Sequence, residues 1–334
     1  MKQSKLIVLI ILVVAVVSIF LFRVISNDTA KKSTKVFVTV PKAVGYNWFN
    51  RLEEGVLKYA KDTGVNAYQQ GPSKFDSALQ VAVIEDLIAQ KVTAINVVPF
   101  QPETLQPVLE KAASQGIIVV THEAPNLNSA KYDVEPFDNK SYGEHLMEKL
   151  AALMNEEGEY ALFVGSLNSS THRAWVEAAL DYQKKNYPNM KWIGDYAESG
   201  DDVKIAYEKT KELLKKYPNL KGFQGSSALD VVGIGQALQE AKLSDKTFVV
   251  GTSIVSYAGD LMKTGAIDLI SGWDPADSGY AMNVIANYIF ENKEITNGMD
   301  LGIKGYESIV IDGNTIYGKA WIDVTIDNMQ DYNF

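Results

Sequence analysis

From Lys35 onward the chain alternates short apolar runs with amphipathic stretches, and this beat constrains the fold more than any other feature. Val36–Val40 is a strand-like run. Asn50–Gly64 then carries Leu52, Val56, Tyr59 and Ala60 on one helical face and closes on a glycine. Val65–Tyr68, Thr93–Val98 and Ile117–Thr121 are further strands, with helices at Ser77–Gln90 and Glu103–Gln115 between them. A β-α-β-α-β-α-β order predicts a parallel sheet with right-handed crossovers. The beat then repeats. Helices at Asn139–Asn155, Thr171–Tyr187 and Asp201–Tyr217 alternate with strands at Tyr160–Val164 and Lys191–Asp195. Lys221–Gly225, Asp230–Ala241, Thr247–Gly251, Ser256–Lys263 and Ile267–Ser271 continue it. Near the end the pattern changes: Ser308–Ile311 and Thr315–Trp321 flank Asp312-Gly313-Asn314, a hairpin signal.

At 334 residues the chain exceeds what one core usually holds, so the fold class is α/β with two lobes. The polar, proline-containing loop Ala124–Asn128 lies midway and is the expected first crossover. We place the first lobe at 35–124 plus 256–296 and the second at 125–255 plus 297–334. Ahead of them, Lys2 and Lys5 precede an apolar run from Leu6 to Phe22, which Arg23 ends. The run is longer than the ~7–15 residues of a secretory apolar core and lacks a convincing Ala-x-Ala site. It reaches the ~17–25 residues of a membrane span, and the lysines favour an inside N-terminus. Residues 1–26 therefore read as an uncleaved signal anchor, 27–34 as a tether, and the body as extracytoplasmic. A cleaved signal peptide is the alternative.

Net charge is −9, and Lys/Arg occur only in short pairs such as Lys184-Lys185 and Lys215-Lys216. That pattern argues against nucleic acid, whose binding rests on neutralising phosphates. Cysteine is absent, which excludes disulfides, thiolate metal sites and a lipid-modified cysteine.

Side chains with chemistry gather where the apolar strands end, the place at which open α/β sheets bind ligands. The first strand runs into Lys42, Asn47, Trp48 and Phe49; Phe100 follows the third, and His122 and Glu123 the fourth. In the second half Thr171, His172 and Arg173 open a helix, Ser226 and Ala228 follow one strand, and Ser253 another. The stretch 267–284 takes an apolar strand into Gly272-Trp273-Asp274-Pro275 and then a helix. An indole beside a carboxylate suits a polyhydroxylated molecule: the ring covers C–H faces and the carboxylate accepts from hydroxyls. Each residue has a plain structural reading too. Trp273 packs a hinge and Asp274 caps a helix. Trp48 and Phe49 form an apolar staple. Lys42 is a solvated loop lysine, Glu123 an interlobe ion-pair partner, and Arg173 a surface residue of its helix. His145, in mid-helix, reads as structural.

Enzyme signals are weak. The histidines His122, His145 and His172 lack ligand spacing, although His122, Glu123 and His172 define one alternative, a secreted metal-assisted sugar-modifying enzyme. Gly-x-Ser-x-Gly and phosphate-loop motifs are missing, and Gly233-Ile-Gly235 lacks the third glycine of a dinucleotide fingerprint. Acidic pairs such as Glu53-Glu54 and Asp201-Asp202 fall at helix starts, where they are ordinary.

Three stretches carry a family resemblance. They are Val40-Pro41-Lys42 through Trp48-Phe49, the Gly272-Trp273-Asp274-Pro275 turn with Gly279-Tyr280, and Ile326-Asp327-Asn328-Met329 through Tyr332-Asn333-Phe334. Over roughly residues 35–334 the chain resembles type I periplasmic sugar-binding proteins, nearest the branch that binds autoinducer-2 and rhamnose. The resemblance implies two Rossmann-like lobes with parallel sheets, a three-strand hinge and a ligand cleft between them. It implies that Lys42 and Ala228 contact the ligand. Glu123 stands where that branch has a shorter acid, Thr171-His172 where it has Asp-Gln, and Ser226 where it has proline. The implied ligand is a small sugar or sugar-like molecule. The implied partner is a membrane ABC permease or a sensor histidine kinase, with neither cofactor nor metal.

Overall fold

The computed structural model describes residues 35–125 and 127–334. The anchor and tether expected at 1–34 lie outside the described residues, and no described helix is long and apolar enough to cross a membrane.

Strands β1 (Val36–Val40), β2 (Asn66–Gln69), β3 (Ala94–Val97), β4 (Ile118–Thr121) and β5 (Tyr132–Glu135) form one sheet with β11 (Val310–Asp312) and β12 (Thr315–Tyr317). Its order among the described residues is β11-β12-β5-β4-β3-β1-β2. Helices α1 (Asn47–Thr63), α2 (Ser77–Gln90) and α3 (Pro102–Ser114) belong to this lobe. The second sheet runs β13-β10-β9-β8-β6-β7 and is built from β6 (Glu157–Val164), β7 (Asn189–Glu198), β8 (Leu220–Gly225), β9 (Phe248–Thr252), β10 (Leu269–Gly272) and β13 (Ile322–Val324). Its helices are α4 (Asn139–Met154), α5 (Ser170–Asn186), α6 (Val203–Lys216), α7 (Asp230–Ala241) and α8 (Val255–Lys263). Helix α9 (Pro275–Phe290) returns to pack on α1 and the first sheet. Pairing is parallel except at the β11–β12 hairpin and at β10–β13. The expected α/β class with two parallel sheets is what the chain adopts.

Local chemistry sets the element ends. Asp76, Asp138, Asp202 and Asp274 each accept a hydrogen bond from a first-turn N–H of α2, α4, α6 and α9. Gly64 closes α1 in the left-handed conformation, φ 72°. The predicted hairpin turn holds Gly313 at φ 59°.

The lobe boundaries differ from those expected. The chain does not cross at Ala124–Asn128. Tyr132–Glu135 is a further, buried strand between β4 and β12, and the crossing follows it at 136–138. Nor do residues 256–274 join the first lobe. Ala258, Leu261 and Met262 of α8 enter the second-lobe core, and β10 pairs with β9. Residues 297–317 likewise belong to the first sheet's side, through β11 and β12. The three crossings are therefore 136–138, 273–274 and 318–321.

Helices α1 and α9 approach closely because glycines face each other's backbone. A Cβ on Gly55 would lie 1.8 Å from the Ala276 carbonyl oxygen, and one on Gly279 2.5 Å from that of Leu52. Gly55→Ala gains helix propensity of about 0.5–1 kcal/mol. Separating packed backbones costs about 1–3 kcal/mol and outweighs that gain. We expect net destabilisation in denaturant titrations; a variant as stable as the parent would show that the two helices can slide apart.

Candidate functional site

The loops after the strands of both sheets meet in one cleft. From the first lobe come Lys42, Tyr46, Trp48, Phe49, Phe75 and Glu123. From the second come His172, Trp175, Asp201, Ser226, Ser227, Ala228, Leu229, Thr252 and Tyr257, and Trp273 enters from the second crossing.

Two of these loops are shaped by backbone that side chains rarely adopt. Glu123 sits at φ 59°, and the Asp133 carboxylate accepts from Ala124 N–H (3.1 Å) to fix the turn after it. This aims Glu123 at Lys42, whose ammonium lies 2.5 Å from Glu123 Oε2 with both side chains buried. Burial alone would push the Lys42 pKa down. Glu123 first, then Asp201 and Glu135, overcome it and hold the ammonium above its usual range. Burial would likewise raise Glu123, but Lys42, His122 and His172 keep it below the ordinary carboxylate value. The pair is charged.

His172 is the opposite case. Burial, then Lys42, push its pKa down to about 4, so it is neutral at pH 7. Gly165 N–H donates to its Nδ1 at 3.1 Å, which leaves Nε2 carrying the proton. Asp201 sits at φ 54°, its N–H bonded to Ser199 Oγ (3.2 Å) and the preceding Gly200 N–H to Gly165 O (2.7 Å). The next loop is held by Asp230, which accepts from Ser226 and Ser227 N–H at 3.1 and 2.8 Å.

The walls are aromatic. Trp273 is 1% exposed and packs edge-on to Trp48 (4.9 Å), Phe137 (5.4 Å), His122 (5.5 Å) and Trp175 (6.2 Å). Its structural and cleft-lining readings therefore both hold. Across the lobes, Trp48 N–H donates to Tyr257 Oη at 3.3 Å.

Of the residues singled out by sequence, the cleft gathers Lys42, Trp48, Phe49, Glu123, His172, Ser226, Ala228 and Trp273. The others lie elsewhere. Asn47 is exposed on the first turn of α1, and Phe100 packs on Phe75 (5.9 Å). His122 stands one layer behind, its Nδ1 donating to Val134 O at 2.6 Å. Thr171 is buried, and Ser253 donates to Ala228 O at 2.8 Å. Arg173 pairs with Glu177 on its own helix and lies over Tyr196, outside the cleft. Asp274 caps α9 and takes Nε and Nη2 of Arg51 at 2.8 and 2.6 Å, so its cap role accounts for it. His145 is structural as read, bonded to Asp323 (2.8 Å) and stacked on Trp321. Sequence reading missed Phe75, Trp175, Asp201, Leu229 and Tyr257 as cleft residues. Asp201 hides beside the true cap, Asp202. Among the described residues, no cluster of three or more metal-ligating side chains is present.

Burial pushes the Asp230 carboxyl up to about 7 from an unfolded value of 3.8. A raised folded value means stability is full below about pH 4 and falls as pH rises through about 7. Asp230→Asn keeps an acceptor for both N–H groups and cannot ionise. Its melting temperature should gain on the parent's as pH rises from about 5 to about 8. A pH-independent gap between the two melting temperatures would contradict this.

Comparison with known proteins agrees with the fold. The D-allose-binding periplasmic protein of Escherichia coli (strain K12) is 26% identical over 264 residues, covering 75% of this chain and 83% of that protein. The xylitol-binding protein of Mycolicibacterium smegmatis is 25% identical over 268 residues, covering 76% and 74%. LsrB from Clostridium saccharobutylicum in complex with AI-2 has a TM-score of 0.83 at 19% identity, covering 90% of this chain and all (100%) of that one. A solute-binding protein from Clostridium phytofermentas with bound L-rhamnose gives 0.82 at 19%, covering 90% and 98%. At these identities the structural matches speak for the fold. The model of the periplasmic binding protein domain matches residues 37–294, and the chain belongs to that family.

Proposed function

We propose that this chain is an extracytoplasmic solute-binding protein that closes around one small sugar or sugar-like ligand. The observation that carries the reading is the cleft itself. Strand ends of both sheets supply it, its walls are aromatic, and both lobes contribute polar groups to it. Indole faces cover sugar C–H surfaces, while Glu123, His172 Nε2–H, Ser226 and Thr252 answer hydroxyls.

Ligand contacts from both lobes favour the closed form, so binding shifts an open–closed equilibrium. A membrane partner reads the closed face. The Clostridium phytofermentas neighbour, an ABC transporter solute-binding protein with bound L-rhamnose, supports a sugar ABC transporter as that partner. The Leu6–Phe22 run supports a second partner, a sensor histidine kinase, because a tethered binder suits sensing beside its receptor. The enzyme alternative has little support: His122 does not line the cleft, and Gly165 N–H occupies His172 Nδ1.

The test is a thermal-shift screen of residues 31–334 with D-allose, D-ribose, D-xylose, xylitol, L-rhamnose and autoinducer-2. A ligand at about 100 times Kd should add ~2.7 kcal/mol of stability. No shift with any of them would contradict the sugar reading.

Two substitutions separate cleft from surface. Lys42→Ala leaves Glu123 buried without its partner and should raise Kd about tenfold or more. Arg173→Ala removes only a half-exposed helical ion pair and should leave Kd within about twofold. Calorimetric titration reads both. A large loss with Arg173→Ala and none with Lys42→Ala would reverse the assignment.

A further inference from the structure

We propose that Asp201 is the second lobe's hydroxyl acceptor for the ligand and the residue that selects ligand charge: uncharged sugars enter the closed cleft and anionic ones do not. This rests on the sugar-binding reading and goes beyond it by naming the charge class.

Asp201 is 7% exposed and lines the cleft, yet no described side chain or backbone N–H donates to its carboxylate. Its own N–H and that of Gly200 are both used, but they only hold the loop in place. A residue held at φ 54° with its acceptor oxygens turned into a cavity leaves those oxygens to whatever enters. Gly165 makes room for it: a Cβ there would lie 2.1 Å from Asp201 Oδ1.

The charge balance follows from the neighbours. Among the described residues Lys42 is the only cation lining the cleft, and Glu123 already takes it at 2.5 Å. Arg173 is turned away to Glu177, and Arg51 is held by Asp274 outside the lining. His172 offers a neutral Nε2–H. Two carboxylates therefore face one ammonium in a space that water leaves on closure. A ligand carboxylate or phosphate would meet uncompensated negative charge at low dielectric. A ring hydroxyl instead gives Asp201 the donor it lacks and forms a charge-assisted bond. Because Asp201 sits on the second lobe and Lys42 and Glu123 on the first, a hydroxylated ring spanning them ties the lobes together.

The experiment is calorimetric titration of the full chain in detergent, as parent and as Asp201→Asn. Asparagine tolerates the left-handed backbone, so this variant keeps its loop. The probes are D-allose, D-ribose and L-rhamnose, each alone, with D-ribose 5-phosphate and D-glucuronate as anionic counterparts. The parent should bind at least one neutral sugar and neither anion. Asp201→Asn should raise Kd for that neutral sugar about tenfold or more, and narrow the gap to the anions. Unchanged neutral-sugar affinity in a variant that melts like the parent overturns the role of Asp201 and leaves the sugar reading standing. Parent binding of an anion as tight as of a neutral sugar overturns the charge selection. Failure of every sugar to bind the parent overturns both readings.

Discussion

The cluster of rings around Trp273 is the contact on which the rest of the structure depends. Trp273 lies between β10 of the second sheet and α9 of the first lobe, on one of the three chain crossings. Trp48 and His122 reach it from the first lobe, Trp175 from the second, and Phe137 from another crossing. Edge-to-face pairs at these distances contribute about 0.5–1.5 kcal/mol each beyond burial. The hinge and the cleft floor are thus one packed unit. On the proposed reading, a ligand resting on Trp48 or Trp175 would press on the same rings that guide the crossing and so couple occupancy to lobe position.

The electrostatics of the cleft build on that floor. A buried ammonium and carboxylate persist only when each satisfies the other, because either alone carries a desolvation cost of several kcal/mol. Lys42 and Glu123 meet this condition within the first lobe. Beneath them Asp133 and Glu135 on β5 lie close enough to influence each other. Burial pushes both carboxyls up, and for Glu135 the neighbouring Asp133 adds to the effect. Asp133 in turn holds the strained turn at Glu123. The first lobe arrives at the cleft with its polar corner already assembled. The second lobe brings Asp201 into the cleft lining.

Much of this was legible in the sequence because it follows from periodicity and strand ends. The strand–helix beat led to two parallel sheets, and loops after strands led to Lys42, Trp48, Glu123, His172 and Trp273. What failed did so for physical reasons. Tyr132–Glu135 carries two acids, so nothing in its composition announces a buried strand; only pairing with β4 and β12 makes it one. Arg173 follows His172 directly, and a helix turns about 100° per residue, so neighbours cannot share a face. His172 faces inward while Arg173 turns out to Glu177. Asp201 and Asp202 look alike in sequence, yet Asp202 caps α6 and a left-handed backbone turns Asp201 into the cleft.

The central claim is that a ligand held by both lobes closes them. Small-angle X-ray scattering of residues 31–334, without ligand and saturated with the best sugar from the thermal-shift screen, tests it most directly. The account predicts a smaller radius of gyration with ligand and an unchanged one when a non-binding sugar is added. A saturated protein with the same radius of gyration as the free one would contradict it.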